Sequence, residues 1–124
     1  MAWKSIRLEL DQTPDHPRGS AGRFYLLRVP LDRNGNIITR ELLKAPGDAT
    51  VRRYWPSERD IVGYLVPEQG GWALSFDGSC TDPGPCAFHL AATPLTLGGN
   101  VTITQPNGRC LPFRVAQISE LATV

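Results

Sequence analysis

The stretch V-T-I-T-Q-P-N-G-R-C-L-P-F-R-V, residues 101–115, decides the fold because it specifies one β-hairpin in detail. Apolar and polar residues alternate on both sides of a turn, as they do in half-buried strands. The apolar residues that should share one face are Val101, Ile103, Leu111, Phe113 and Val115. The stretch therefore predicts two antiparallel strands with a common apolar face.

The length of the turn follows from the register that keeps this apolar set together. A two-residue turn over Asn107 and Gly108 would place the two apolar sets on opposite faces. A three-residue loop, 106–108, pairs Ile103 with Leu111 and keeps both sets on one face. Pro106 suits the first position of a type I turn, and Gly108 suits the left-handed position of the bulge that follows. We therefore predict the three-residue loop.

The rest of the chain is divided into short segments by 11 Pro and 12 Gly. The segment Thr39–Ala45 is the best helix candidate, with Thr39 as its cap. The pattern predicts a mainly β fold, an antiparallel barrel or two-layer sandwich of about seven to eight short strands with one short helix. The strands predicted before the hairpin cover residues 3–10, 23–29, 50–55, 61–66 and 72–76.

Two prolines are predicted to mark the limits of strands, and a third is predicted to need a special place within one. Pro30 ends the second strand, and Pro67 opens a four-residue loop that sets Leu65 opposite Trp72. Pro112 lacks an N–H and therefore needs a sheet edge or a bulge.

Composition bounds the class of protein. The 124 residues predict a single β-rich domain over 1–124. Thirteen basic and twelve acidic side chains nearly cancel, which argues against a sequence-independent polyanion binder. The first ten residues contain no apolar signal-peptide core, and three cysteines, an odd number, fit a reducing compartment. We expect a cytoplasmic protein without a membrane span.

The segment D-R-N-G-N-I-I-T-R-E-L-L, residues 32–43, begins like a calcium loop with oxygen donors at alternate positions. A calcium loop of this kind needs glycine at its sixth position and glutamate at its twelfth, which here are Ile37 and Leu43. Asn34 and Gly35 favour a tight turn instead. We predict a turn without a metal.

Cysteines and a histidine form the candidate metal set: Cys80, Cys86, His89 and Cys110. Three thiolates and an imidazole can hold zinc, although five residues separate Cys80 from Cys86, more than zinc sites usually have. The alternatives are a thiol nucleophile with a histidine base, or unconnected small side chains. The sequence contains no G-x-S-x-G, phosphate-loop or dinucleotide motif. We expect no cofactor, no metal and no enzymatic activity.

The segment V-R-R-Y-W-P-S-E-R, residues 51–59, combines arginines with aromatics. Such residues bind protein partners at hot spots and hold single-stranded nucleic acid. A strand here would place Arg53 and Trp55 on one face and Arg52 and Tyr54 on the other. The alternative is that one aromatic is core and that Arg53 pairs with a nearby carboxylate. The candidate binding residues are Arg52, Arg53, Tyr54, Trp55, Arg59 and Trp72.

The chain resembles a set of small bacterial proteins of unknown function. The resemblance rests on R-L-E-L, G-S-A-G-R, V-P-L-D-R-N-G-N-I, V-R-R-Y-W-P, G-G-W-A-L-S-F and the final V-T-I and F-R-V. It implies a compact, mostly β domain and no activity.

Together these patterns predict a small non-enzymatic binding module that recognises an unknown protein partner through an Arg/aromatic surface. The first alternative is a single-strand nucleic-acid binder of the OB type, which the near-neutral charge disfavours. The second alternative is a zinc or thiol protein that uses its cysteines and His89.

Overall fold

The computed structural model describes residues 2–76, 88–105 and 108–121, which form a closed barrel of eight antiparallel strands. Every strand pairs with its neighbour in sequence, and β1 also pairs with β8. Between β2 and β3 lie a helix, α1 (Thr39–Lys44), and a 3₁₀ turn (Pro46–Asp48). The strands are β1 (Ala2–Leu10), β2 (Ser20–Leu31), β3 (Thr50–Tyr54), β4 (Ile61–Glu68), β5 (Gly71–Phe76), β6 (Phe88–Ala91), β7 (Asn100–Thr104) and β8 (Cys110–Glu120).

The pairing of β1 with β8 makes the fold a barrel and excludes the sandwich. Ile6 of β1 lies opposite Leu27 of β2 on one side and opposite Ile118 of β8 on the other. The β1–β8 register shifts between Arg7 and Leu8. Closure pairs the first strand with the last, and so removes the open edges that would invite aggregation.

The final hairpin has the predicted register. Ile103 lies opposite Leu111, and Val101 lies opposite Phe113. The backbone N–H of Gln105 donates to the carbonyl of Arg109 at 2.7 Å. The predicted register is therefore confirmed, whereas the predicted turn includes residues 106 and 107, which lie outside the described residues.

The predicted β4–β5 register is wrong. Leu65 lies opposite Leu74, and Pro67 belongs to β4 and faces Trp72. The N–H of Leu65 donates to Ala49 at 2.9 Å, on the side of β4 away from β5. The nitrogen of Pro67 points to that same side, beyond the last β3–β4 pair, so the missing N–H costs no bond to β5.

Pro30 and Pro112 also lie where the missing N–H costs no bond to a neighbouring strand. β2 continues through Pro30 to Leu31, contrary to prediction, because its pairing with β3 has already ended at Leu27. The carbonyl of Pro112 accepts a bond from Asp11 at 3.0 Å, so its nitrogen also points past the end of β1. Pro112 thus lies within β8 but at a local edge, beyond the last β1–β8 pair, in keeping with the prediction.

One end of the barrel is closed by apolar side chains, and we call it the helix end. Leu42 of α1 and Leu95 of the β6–β7 connection are 0% and 1% exposed there. The helix begins at Thr39 as its first residue, and Ile38 is the cap without a side-chain hydrogen bond, so the predicted Thr39 cap is wrong. No helix among the described residues has the length and apolarity that crossing a membrane requires. The buried core also contains Ile6, Leu8, Tyr25, Leu27, Val29, Val51, Leu65, Leu74, Phe76, Leu90, Val101, Ile103, Phe113 and Val115.

Candidate binding surfaces

Strand β3 divides the predicted Arg/aromatic cluster between two surfaces. Arg53 lies opposite the core residue Tyr25, whereas Arg52 lies opposite Leu26 on the outside of the barrel. Because side chains alternate along a strand, Tyr54 joins Arg52 outside and Trp55 joins Arg53 at the end of the barrel. The predicted separation is confirmed, and the structure contains two candidate surfaces rather than one.

Arg53 is partly buried at the end of the barrel opposite the helix end. Its side chain is 12% exposed, and its guanidinium lies 4.2 Å from the centre of the Trp55 ring. Nη1 donates to Glu58 at 3.2 Å, as the sequence allowed, but the buried Nε–H has no acceptor. A buried donor without a partner costs about 1–3 kcal/mol, which sets this Nε–H apart from the bonded groups of the same side chain.

Tyr25 lies beneath Arg53 and connects it to Gln105. Its hydroxyl donates to Oε1 of Gln105 at 3.5 Å, and Nε2 of Gln105 donates to the Ile103 carbonyl at 3.1 Å. Burial raises the pKa of Tyr25 above 10.0, although the charge and hydrogen bond of Arg53 oppose that rise. The phenol therefore stays neutral at physiological pH.

Arg53 and Gln105 line an open cavity of about 460 Å³, which we call the mouth. The Arg53 guanidinium lies 6.0 Å from the centre of the Phe88 ring, so charged and apolar groups are close together in the wall of the mouth. Its described lining residues are Arg53, Glu58, Ile61, Phe88, Gln105, Arg109 and Leu111. The combination of a charged group with an apolar wall is typical of small-molecule sites in barrels.

Outside the barrel, Arg52 and Tyr54 belong to a groove of about 370 Å³ across β1, β2, β3 and β4. Nη1 of Arg52 donates to the Tyr54 hydroxyl at 3.3 Å, which fixes both side chains on the surface. Arg28 is exposed at the same groove. The other residues of the groove are Ser5, Leu26, Thr50 and Val62.

Strand β4 carries apolar side chains on both faces, a feature that the sequence analysis missed. Val62, Tyr64 and Val66 point outward and are 42%, 45% and 45% exposed, while Leu65 points into the core. An outward face is normally polar in a half-buried strand. The continuous run I-V-G-Y-L-V was the available signal. The β3–β4 outer face is defined here as Leu26, Arg28, Arg52, Tyr54, Val62, Tyr64 and Val66.

Three of the six predicted binding residues line neither the mouth nor the groove, and one of them, Trp55, packs on the Arg53 guanidinium. Trp72 is 7% exposed, belongs to the core at the helix end and lines a different cavity with Ile37 and Ala92. Its predicted place in the Arg/aromatic surface is therefore wrong. Arg59 is exposed in the β3–β4 turn, beyond the residues that line the groove and the mouth.

The predicted cysteine–histidine set is only partly described, since Cys80 and Cys86 lie outside the described residues. Nδ1 of His89 lies 2.5 Å from Oε2 of Glu68, and the exposed Cys110 sulfur lies 3.6 Å from the Thr104 hydroxyl. Among the described residues, no three His, Cys, Asp or Glu side chains are grouped to hold a metal. The zinc and thiol interpretations remain predictions.

The calcium-like segment forms the predicted turn. The Asp32 carboxylate accepts from the backbone N–H groups of Asn34 and Asn36 at 2.8 and 3.0 Å. These bonds hold the pKa of Asp32 below 3.8. Gly35 has a φ of 87° and accepts the Leu95 N–H at 2.7 Å, so the turn packs against the segment that closes the helix end.

Comparisons with family models, with curated proteins and with solved structures find no match for this chain. The resemblance to small bacterial proteins therefore stays a prediction, and the functional argument rests on the two surfaces.

Proposed function

We propose that this chain is a non-enzymatic binding module that recognises a protein partner through the β3–β4 outer face. The observation that carries the proposal is the row of Val62, Tyr64 and Val66, each more than two-fifths exposed, beside Arg52. Exposed apolar area next to arginine and tyrosine is the composition of interface hot spots.

The charge of this face indicates the chemistry of the partner. Arg28 and Arg52 are exposed, and the charge of Asp60 acts on Arg52. Arginine forms strong paired hydrogen bonds with carboxylates. We therefore expect a partner segment with acidic residues on either side of an apolar centre, and an association that weakens as salt increases.

A single-stranded nucleic acid is a weaker candidate for the same face. Phe24 cannot serve as a stacking platform, because it lies between the Arg7 guanidinium at 3.6 Å and the Tyr54 ring at 4.6 Å. One face of the Tyr54 ring is covered by the same stack. Nucleic-acid binders of this kind depend on open aromatic faces and a marked positive charge, whereas the net charge here is +1.

The proposal includes a cytoplasmic location and the absence of catalysis. The odd cysteine number supports a reducing compartment. The sequence contains none of the catalytic motifs considered above.

The proposal is tested by affinity capture with three immobilised forms of the chain, followed by titration of the captured protein after purification. Arg28→Glu/Arg52→Glu reverses the charge of the outer face, and Arg33→Glu/Arg40→Glu makes the same charge change at exposed positions near α1. We expect the first variant to bind the partner about tenfold or more weakly and the second to bind normally.

Two results would contradict the proposal. Equal capture by all three forms would remove the β3–β4 outer face as the binding surface. Saturable binding of a labelled single-stranded oligonucleotide at low salt, lost in Arg28→Glu/Arg52→Glu, would replace the protein partner with nucleic acid.

A further inference from the structure

The mouth lies on a different part of the barrel from the proposed protein-binding face. Its volume of about 460 Å³ is open to solvent and sits where β3 ends and β4 begins. Cavities that hold small organic molecules have volumes of about 300–1,000 Å³ and lie often in the mouths of barrels. The size admits a molecule of one or two rings.

The wall of the mouth offers apolar contact to such a molecule. Phe88 is 7% exposed, and Ile61 and Leu111 are half-buried against the core. Phe76 packs edge-on against Phe88 with ring centres 5.1 Å apart, which fixes the Phe88 ring in the wall. A flat or branched apolar body would therefore meet rigid side chains and lose little entropy on binding.

The mouth contains charged groups that an anion could contact. Two guanidinium groups, Arg53 and Arg109, and one carboxylate, Glu58, are among the described lining residues. Arg109 also lies 3.8 Å from the exposed Asp15. The guanidinium of Arg53 has five N–H donors. Its Nε–H is buried, so a molecule in the mouth would meet the Nη groups of this side chain. The low local dielectric makes an unpaired donor costly and a charge-assisted bond strong.

We propose that the mouth binds a small organic anion, a carboxylate carried on an aromatic body. The carboxylate would accept hydrogen bonds from Arg53 and lie on the Arg109 side of the cavity, and the ring would contact Phe88 and Leu111. A cation would be repelled by the two guanidinium groups. A neutral amide would offer Arg53 an uncharged acceptor oxygen, and its hydrogen bonds would be weaker than the charge-assisted bonds of a carboxylate.

The test uses 1-naphthoate as the anion and 1-naphthamide as its neutral analogue. The indole N–H resonances of the three tryptophans are followed in a proton–nitrogen correlation spectrum of the full chain, with Trp55 assigned from Trp55→Phe. Trp55 packs on Arg53, whereas Trp3 and Trp72 lie toward the helix end. We expect naphthoate to shift only the Trp55 resonance, saturably, and naphthamide to bind about tenfold or more weakly.

Matched variants separate this site from the outer face. Arg53→Met should weaken naphthoate binding about tenfold or more, and Arg59→Met, a nearby exposed arginine, should leave it unchanged. If Arg53→Met does not fold, Arg109→Gln provides a second test. The Arg109 side chain is 58% exposed, and its replacement should reduce the affinity for naphthoate. Arg28→Glu/Arg52→Glu should bind naphthoate normally whether or not the protein partner is lost.

The proposal is overturned if the Trp55 resonance does not shift at about 1 mM naphthoate, which corresponds to about 4 kcal/mol of binding. It is equally overturned if naphthoate and naphthamide bind with the same affinity, or if all three indole resonances shift together.

Discussion

The two ends of the barrel are filled in opposite ways. The helix end is closed by Leu42 and Leu95, which are almost completely buried, whereas the other end holds Arg53, Glu58 and Gln105 around an open mouth. Burial of a leucine side chain stabilises a fold by about 1.5–3 kcal/mol. The Nε–H of Arg53 instead lacks an acceptor, which costs free energy. The comparison supports the proposal that the helix end serves folding and that the mouth serves binding.

The largest effect should follow from opening the helix end. Leu42→Ala would leave a cavity beneath α1 and lower the free energy of unfolding by about 2–5 kcal/mol. Leu43→Ala is the matched control, since the neighbouring Leu43 is 57% exposed, and it should cost less than about 0.5 kcal/mol. Urea unfolding followed by circular dichroism measures both, and equal losses would contradict the assignment of the helix end.

The next effect concerns the turn that packs against Leu95. Gly35 has a φ of 87°, and an added Cβ would lie 2.7 Å from the Leu95 carbonyl oxygen. Gly35→Ala should therefore cost about 1–3 kcal/mol. Gly47→Ala is the control, because nothing lies within 4 Å of its Cβ position, and it should leave stability nearly unchanged. Thermal unfolding of both variants measures the difference, and equal melting temperatures would contradict this account.

A smaller effect should appear at the mouth in alkaline solution. Burial raises the pKa of Tyr25 in the folded state above 10.0. The unfolded chain therefore releases this proton first, and the contribution of the neutral phenol to stability is lost as pH rises above 10. Tyr25→Phe removes this dependence, so the stability of the wild type should fall more steeply than that of the variant. Parallel slopes above pH 10 would show that the phenol is not shielded.

The smallest effect should arise at the exposed carboxylate of the turn. The pKa of Asp32 is lowered by the backbone N–H groups of Asn36 and Asn34, so the ionised form stabilises the fold above the unfolded value of 3.8. Asp32→Asn keeps an acceptor oxygen but loses the charge. The difference in stability between wild type and variant should shrink as pH falls below about 4. Denaturant titrations at several acidic pH values measure it, and a constant difference would contradict the account.

The sequence predicted those parts of the fold in which local turn chemistry and apolar alternation agree. Residues 101–115 supplied both, and the register of Ile103 with Leu111 is confirmed. The β4–β5 register was predicted wrongly because Pro67 was assumed to end a strand. A proline can lie inside a strand when its nitrogen points away from any partner strand, and the sequence alone does not show which strands are its neighbours. The pairing of β1 with β8 is equally non-local, so barrel and sandwich could not be distinguished.

The candidate surfaces were predictable only in part. Alternation in residues 51–55 correctly separated Arg52 from Arg53. The sequence gives no measure of which apolar residues of β4 remain uncovered, so Val62, Tyr64 and Val66 were missed. Trp72 was misassigned for the same reason, since burial depends on the strands that surround β5.

The central claim is that Arg53 is retained for binding rather than for folding, and the unfolding free energy of Arg53→Met tests it most directly. Methionine preserves the length of the buried stem and removes both the charge and the unpaired Nε–H, and Glu58 is 54% exposed and can be solvated alone. The claim predicts a stability within about 1 kcal/mol of the wild type. A loss of about 3 kcal/mol or more, comparable to that of Leu42→Ala, would show that Arg53 supports the fold and would contradict the claim.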